Sequence, residues 1–476
     1  MSNVVTRFAP SPTGFLHVGG IRTALFAYLV AKQFDGQFIL RLEDTDQKRE
    51  VDGSAEHLVE SLKVLGINYD QGPGIGGPHA PYKQSERLEL YHAWALRLVE
   101  AGRAYADPYS PAELTSLREE AQAAKKPFLY RDHRPENPPV WDGKLPLRFK
   151  SDPKAYDWHD EVMGDLHTGP EVVDDFILIK SDGYPTYNFA HIVDDAEMDV
   201  THVIRGQEFL SSMPNYLNLY EAFGLKRPLF ATMPHIMNEQ GNKKLGKRDG
   251  AKDVLDYVRD GYLPETLISF IATLGWNDGT EQEVFTMPEL VEKFSLERVQ
   301  RSGARFDEKR LLWMNGQFIR GLSLDDLATR VEDFWPDNAA SAEPDYRRRV
   351  LELVQDRLKT LKDLPALSSY FFEEPTVDTR LITENKQLKN VDPAEVKSLL
   401  EQAAQALEAS DFTPEAIQDT LNGLLETTGQ KPGTLFSLIR IATTWAPFSP
   451  QLNDTLALIG KEKTLLRLQQ ANDSLS

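Results

Sequence analysis

The chain contains no cysteine in 476 residues. That excludes a disulfide framework, a thiolate nucleophile and cysteine-ligated zinc. It fits a reducing compartment, so a cytoplasmic location is expected. No run of about 18 apolar residues occurs, so no membrane span is expected. The opening MSNVVTRFAPSP lacks an apolar h-region, so no signal peptide is expected. Neither GxxxxGK[ST] nor GxGxxG is present, which removes two familiar phosphate-loop signatures. Positive charge is also scarce: 53 Lys and Arg stand against 73 Asp and Glu, a formal charge of −20. This balance argues against a protein that simply coats nucleic acid. It leaves room for a large enzyme that grips RNA through local basic faces. Tandem repeats and low-complexity tracts are absent too.

Three or four domains are expected from the length. Residues 4–10 (VVTRFAP) read as a short buried strand and 37–43 (QFILRLE) as a second. Between them, 20–34 keeps helical spacing through Ile21, Ala24, Leu25, Tyr28 and Leu29, with Gly36 as the C-terminal stop. Strand, helix and strand within about forty residues form a βαβ unit, hence a parallel, doubly wound sheet. Residues 106–160, rich in proline and charge, read as an insertion. Strand-like segments return at 174–180, 184–195 and 201–206, as one interrupted sheet that resumes. After residue 250 the pattern is helical: Thr286 opens a capping box, Ser323 is a cap, and Asp392-Pro393 and Thr413-Pro414 start helices. Val396, Leu399, Leu400, Ala403 and Leu407 form one apolar stripe.

The stretch APSPTGFLHVGG (9–20) lies where a parallel strand ends and a helix begins. Free backbone N–H groups and the positive end of the helix dipole meet there, so it reads as a phosphate cradle. Thr13 and His17 can donate to phosphate oxygens, and Gly19 and Gly20 permit close approach. A tight turn with a helix-capping histidine is the competing reading. Other strand ends add Arg7, Glu43, Tyr187, Arg205 and Glu208. Two arginines suit carboxylates, and an acid with a tyrosine suits an ammonium; singly, each would pass for a surface ion pair. Downstream, NKKLGKRDG (242–250) sets Lys243, Lys244, Lys247 and Arg248 among glycines. Lysines beside a phosphate cradle can neutralise developing charge; an exposed basic loop is the alternative.

Together these stretches resemble the class I aminoacyl-tRNA synthetases, in particular the bacterial-type glutamyl-tRNA synthetases. RFAPSPTGFLHVGG is similar to the extended HIGH motif and KLGKR to the KMSKS motif. LRLEDTD, DGYPTYNF, VDD, THVIRG, LLWMNGQFI and TLALIGKEK resemble further family blocks, in order along nearly the whole chain. The resemblance implies a Rossmann-type α/β catalytic domain with an inserted α+β subdomain, followed by all-α C-terminal domains. Its expected boundaries are 1–105 and 186–240 for the catalytic halves and 106–185 for the acceptor-binding insertion. A helical stem-contact domain is expected at 241–320 and an anticodon-binding region at 321–476.

The resemblance also implies that glutamate is activated with Mg-ATP and transferred to the terminal adenosine of tRNA(Glu). Arg7, Ser11, Glu43, Tyr187 and Arg205 would bind glutamate, with Arg7 on its side-chain carboxylate. Thr13, His17, Gly19, Gly20, Glu208, Lys247 and the backbone at Ile236 would bind ATP. His17, Lys244 and Lys247 would serve catalysis. ATP and Mg2+ are the expected cofactors, no structural zinc or other protein-held metal is expected, and a monomer is expected. For tRNA, the basic candidates are Lys125, Lys126, Arg131, Arg301, Arg305, Arg347, Arg348 and Arg357, each also readable as part of a solvated face.

Three positions depart from the family pattern. Gly246 replaces the serine of the second motif. His191 stands beside the substrate segment where other residues are usual. Asp107 and Tyr109 occupy places where many relatives carry zinc-binding cysteines. Rival readings are a glutaminyl-tRNA synthetase, disfavoured by the all-helical C-terminus, and a glutamyl-queuosine tRNA(Asp) enzyme, disfavoured by length. A non-catalytic synthetase-like RNA-binding protein and a nucleotidyltransferase with an HxGH-type loop complete the set.

Overall fold

The computed structural model describes residues 4–246 and 252–475. The chain divides into two compact units, one of residues 1–257 and 264–308, the other of 258–263 and 309–476.

The first unit is built on a six-stranded sheet. Its strands are β1 (Val5–Phe8), β2 (Gln37–Leu40), β5 (Tyr156–Asp160), β6 (Gly164–Thr168), β8 (His202–Gly206) and β9 (Leu229–Met233). They lie in the order β2-β1-β8-β9-β5-β6, parallel except for the β5–β6 hairpin. A second, antiparallel sheet has the order β3-β4-β7, from β3 (Ala104–Ala106), β4 (Leu147–Phe149) and β7 (Ile177–Ile179). A short parallel pair joins β10 (Ile236–Met237) to β11 (Ala304–Arg305).

β1 is buried along its whole length, as a central parallel strand must be. Two of its four residues are nonetheless polar. Thr6 donates from Oγ1 to the Ala27 carbonyl at 2.7 Å, and Arg7 is held by Asp195. The helix that follows, α1 (Val18–Gln33), buries Ile21, Ala24, Leu25 and Leu29 as the spacing predicts. It starts two residues earlier than expected because His17 caps it: Nδ1 accepts from the Gly19 N–H at 3.2 Å. Its exit also differs from expectation. The left-handed position is Asp35 (φ 51), while Gly36 is needed because a Cβ there would collide with the Val4 carbonyl oxygen. Gly20 likewise answers to packing, since an added Cβ would meet Leu16 Cδ1 at 2.7 Å.

Two sequence expectations are corrected. Residues 184–195 are not a strand: Tyr187–Glu197 is a helix, entered after Pro185 and Thr186. Phe189, Ala190, Ile192 and Val193 repeat at helical spacing and are all buried. Nor does 174–180 resume the main sheet; β7 pairs with β4 in the separate antiparallel sheet. The main sheet is extended instead by β5–β6, through Asp160 beside Phe230. Strand propensity marks each segment, but nothing in it names the pairing partner.

Around Asp107 the small sheet is tied by ionic bonds. Arg148 donates from Nη2 to Asp107 Oδ2 at 2.7 Å and lies 3.4 Å over the Tyr130 ring, whose hydroxyl also donates to Asp107. Arg134, Ser151 and Tyr105 all donate to Asp175. Among the described residues, no group of three or more His, Asp or Glu is placed to hold a metal ion.

The second unit shows no strand among its described residues. Its helices enclose two cores. One holds Val350, Leu351, Val354, Leu358 and Leu364, the other Val396, Leu399, Leu400, Leu435 and Leu438. Proline starts the helices Pro393–Glu408 and Pro414–Thr428, with Asp392 and Thr413 accepting first-turn N–H groups as caps. No helix among the described residues is long and apolar enough to cross a membrane.

Candidate functional site

A crevice of about 490 Å³ opens where β1, β8 and β9 end and α1 begins. Arg7, Ser11, Thr13, His17, Gly19, Gly20, Glu43, Tyr187, Arg205, Glu208, Ile236 and Lys244 all line it. Residues from six separate stretches of sequence thus face one space. Lys247, the remaining predicted site residue, lies outside the described residues.

The loop before α1 is pinned by backbone bonds. The Glu43 N–H donates to the Pro10 carbonyl at 2.9 Å, and the Val51 N–H and Ser54 hydroxyl both donate to Pro12. Those contacts hold the first turn of α1 open toward the crevice. Because His17 Nδ1 accepts the Gly19 N–H, the ring proton sits on Nε2, the donor a phosphate oxygen needs.

Beneath the crevice lies a buried charge network. Arg7 forks onto Asp195 at 3.0 and 3.3 Å and donates to the Ile204 carbonyl at 3.3 Å. Arg41 bridges Asp195 and Glu43, both at 2.9 Å. Asp194 accepts from Arg87, Gln84 and Tyr91. Burial alone would raise the Asp195 carboxyl, but Arg7 and Arg41 outweigh it and hold it down to about 2. For Glu43 the balance is reversed: burial pushes it up to about 7 against the pull of Arg41 and Arg7.

Several buried polar atoms around the crevice lack a hydrogen-bond partner, Arg22 Nε, Arg41 Nε and Gln84 Oε1 among them, and two further groups bear on binding. Glu43 Oε2 is buried with no hydrogen-bond partner, although the side chain lines the crevice. Arg205, 5% exposed, has no carboxylate within ion-pairing distance among the described residues. It is surrounded by the Tyr216, Phe230 and Phe209 rings at 5.0, 5.6 and 5.8 Å and donates to the Met213 sulfur. Within this network Arg7, Arg41, Arg87 and Arg205 outnumber Glu43, Asp194 and Asp195 by one, and Arg22 adds a further buried cation to the crevice. An orphan anion atom and an orphan cation in one crevice are complementary to a zwitterion bearing one extra negative charge.

Tyr187 opens its helix rather than ending a strand. Burial, then the Glu43 charge, raises its hydroxyl well above the usual range, so it stays a donor. His191 does not line the crevice. It donates from Nδ1 to the Tyr187 carbonyl at 2.8 Å and stacks on the Tyr187 ring at 4.9 Å. Burial drives it down to about 3, so it is neutral. At the mouth, Glu208 stands 3.8 Å from Lys244 Nζ and 3.9 Å from His235 Nδ1.

The sequence missed Asp195, Asp194, Arg41, Gln84 and Arg87, the residues that hold the binding groups. The VDD and LRLEDTD blocks were visible, but their pairing across about 150 residues was not. The basic candidates separate as well. Lys125, Lys126, Arg301, Arg305 and Arg357 are exposed. Arg131 is instead a strut, its Nη1 donating to the Pro170 and Val173 carbonyls. Arg347 pairs with Glu332 and lies over Trp335, and Arg348 pairs with Asp325.

Comparison with known proteins adds a lineage to this geometry. Residues 3–313 match the family model for tRNA synthetases class I (E and Q), catalytic domain, and residues 326–472 match an anticodon binding domain. A glutamate-tRNA ligase of Clostridium botulinum (strain Okra / Type B1) is 40% identical over 486 residues, covering 100% of this chain and 99% of that one. The Chloroflexus aurantiacus glutamate-tRNA ligase is also 40% identical, over 98% of this chain and 97% of that one. A crystal structure of a glutamate tRNA ligase from Elizabethkingia meningosepticum, in complex with its amino acid, superposes with a TM-score of 0.88 at 33% identity over 100% of both chains. With catalytic and anticodon-binding regions both matched and full-length relatives of one name, the chain belongs to the glutamate-tRNA ligase family of class I tRNA synthetases.

Proposed function

We propose that this crevice activates L-glutamate with Mg-ATP and passes the glutamyl group to the 3′-terminal adenosine of tRNA(Glu). The observation that carries the reading is the pair of incomplete charges, Glu43 Oε2 and Arg205, in one crevice. The glutamate ammonium sits against Glu43 and the Tyr187 hydroxyl. Its side-chain carboxylate takes Arg205, a guanidinium that no carboxylate holds among the described residues. Arg7 assists: Asp195 and Ile204 occupy three of its five N–H groups, so it is a weaker candidate for sole carboxylate ligand than the sequence suggested. Glutamate brings net charge −1 and glutamine none, so the cationic excess favours glutamate over the glutaminyl alternative.

ATP lies along the cradle, its phosphates toward Thr13, Gly19 and His17 and its base toward the Ile236 backbone. An α-carboxylate oxygen of glutamate attacks the α-phosphorus, and the bond to the bridging oxygen breaks, releasing pyrophosphate. A ribose hydroxyl of the tRNA then attacks the glutamyl carbonyl, and AMP leaves. Lys244 and Lys247 neutralise charge on the phosphates. Mg2+ enters as part of the Mg-ATP substrate. No side chain becomes a covalent nucleophile; positioning and electrostatics supply the rate. The exposed Lys125, Lys126, Arg301, Arg305 and Arg357 are proposed to follow the tRNA backbone, with the enzyme acting as a monomer in the cytoplasm.

The test is pyrophosphate exchange into ATP with full-length protein and tRNA(Glu), offering glutamate, glutamine and aspartate in turn. Exchange with glutamate alone is expected. No exchange with glutamate, or equal exchange with glutamine, overturns the reading.

A further inference from the structure

Arg22 was not among the residues expected to act, and the pairing described above does not use it. It lies on α1, three residues past Gly19, lines the crevice and is 5% exposed. Among the described residues its guanidinium pairs with no carboxylate. Nη1 donates to the Leu274 carbonyl at 3.1 Å, Nη2 donates to the Pro234 carbonyl, and Nε is buried without a partner. Burial lowers it to about 10, with Glu208 pulling the other way, so it remains a cation at neutral pH. A buried cation held only by carbonyl dipoles is a costly way to join two segments.

What it joins is informative. Pro234 is the corner between β9 and β10. From that corner β10 runs past Ile236, pairs with β11, and turns back so that the Leu245 N–H donates to the Ile236 carbonyl at 2.8 Å and Met237 bridges Lys244. Leu274 precedes Gly275, which packs 3.5 Å from Ala304 at the start of β11, measured from the position a Cβ would take. Both carbonyls therefore belong to the frame that carries Ile236 and Lys244. The fork on Arg22 fastens that frame to the helix whose N-terminus forms the phosphate cradle.

We propose that Arg22 is a positioning residue for adenylate formation: by bridging Pro234 and Leu274 to α1, it sets the Ile236 backbone and Lys244 at the right distance from the phosphate cradle. This rests on the crevice being the ATP site. Its planar fork spans two carbonyls at once, which a single ammonium does not. The glutamate end of the crevice, built on Asp195, Arg41 and Glu43, is held independently.

Full-length wild type, Arg22→Lys, Arg22→Gln, Lys244→Ala and the Arg22→Lys/Lys244→Ala pair are compared by glutamate-dependent pyrophosphate exchange with tRNA(Glu). Both single Arg22 variants should raise KM for ATP or lower kcat by about tenfold or more, leaving KM for glutamate within about twofold. Because Arg22 acts through Lys244 as well as through the Ile236 backbone, the pair should lose clearly less than the product of the two single losses. Losses that multiply, or a KM for glutamate that rises as far as that for ATP, would overturn the proposal. If Arg22→Lys folds poorly, amide exchange on its folded fraction decides. Faster exchange confined to residues 234–245 supports the strut, and uniform acceleration overturns it. A wild type with no exchange activity would instead overturn the functional reading beneath it.

Discussion

Glutamate should bind more tightly as pH rises from 6 to 8, and Glu43 should be the reason. Its carboxyl is pushed up to about 7 by burial. An ammonium needs the ionised form, so apparent affinity scales with the fraction ionised: roughly 0.9 at pH 8, 0.5 at pH 7 and 0.1 at pH 6. KM for glutamate should therefore rise about ninefold from pH 8 to pH 6, equivalent to roughly 1.3 kcal/mol. The substrate's carboxylates titrate near ~4, outside this window. The sign for folding is opposite. A carboxyl raised above its ordinary 4.5 keeps a proton in the fold that the unfolded chain has already lost. Glu43 thus stabilises the empty protein most below about 4.5, and that contribution, on the order of 3 kcal/mol, fades as pH rises toward 7. Binding improves where this part of the stability declines. Exchange kinetics at saturating ATP and tRNA, taken at pH 6, 7 and 8, give the binding arm; Glu43→Gln should weaken binding and flatten the profile. A wild-type KM that varies less than about twofold over that range would refute the role of Glu43.

Other outcomes follow from the same network. Arg205→Met should cut kcat/KM for glutamate by about 10² or more while the empty protein melts no lower, because an unpaired buried cation is removed. A lower Tm with glutamate use intact would contradict this. Asp195→Asn should cost about 3–5 kcal/mol in urea unfolding, since it strips the shared partner from Arg7 and Arg41; a loss under about 1 kcal/mol would show the pair to be idle. Dialysis against a chelator, followed by return of Mg2+, should leave Tm unchanged, because Arg148, Tyr130 and Asp107 tie the small antiparallel sheet through ionic and hydrogen bonds. A fall in Tm would reveal a structural ion.

Much of the crevice lining was legible because polar residues interrupt apolar strands there. Arg7 within VTRF and Arg205 within HVIRG break the pattern of a buried parallel strand, and each break marked a crevice residue. The capping boxes and N1 prolines of the helical half were legible for a similar reason: each is a local contract between neighbours within one turn. What stayed hidden depends on distant partners. Asp195 neutralises Arg7 across 188 positions, so only the fold reveals which arginine remains unsatisfied. The helix Tyr187–Glu197 was misread because its apolar residues come in short runs broken by Asn188 and His191, a pattern that a buried strand and a buried helix share. Gly36 was given the right place and the wrong cause, since its close approach to Val4 exists only after β1 and α1 have packed.

The β5–β6 hairpin also gives the main sheet its border. β6 is the outermost strand and the antiparallel member, with Asp165 and His167 exposed and bonded across to His159 and Asp157. An outermost strand offers open N–H and C=O groups to any passing chain. Here that margin is short and polar, with carboxylates facing solvent, so the segment that enlarges the sheet also makes its edge a poor template for another strand.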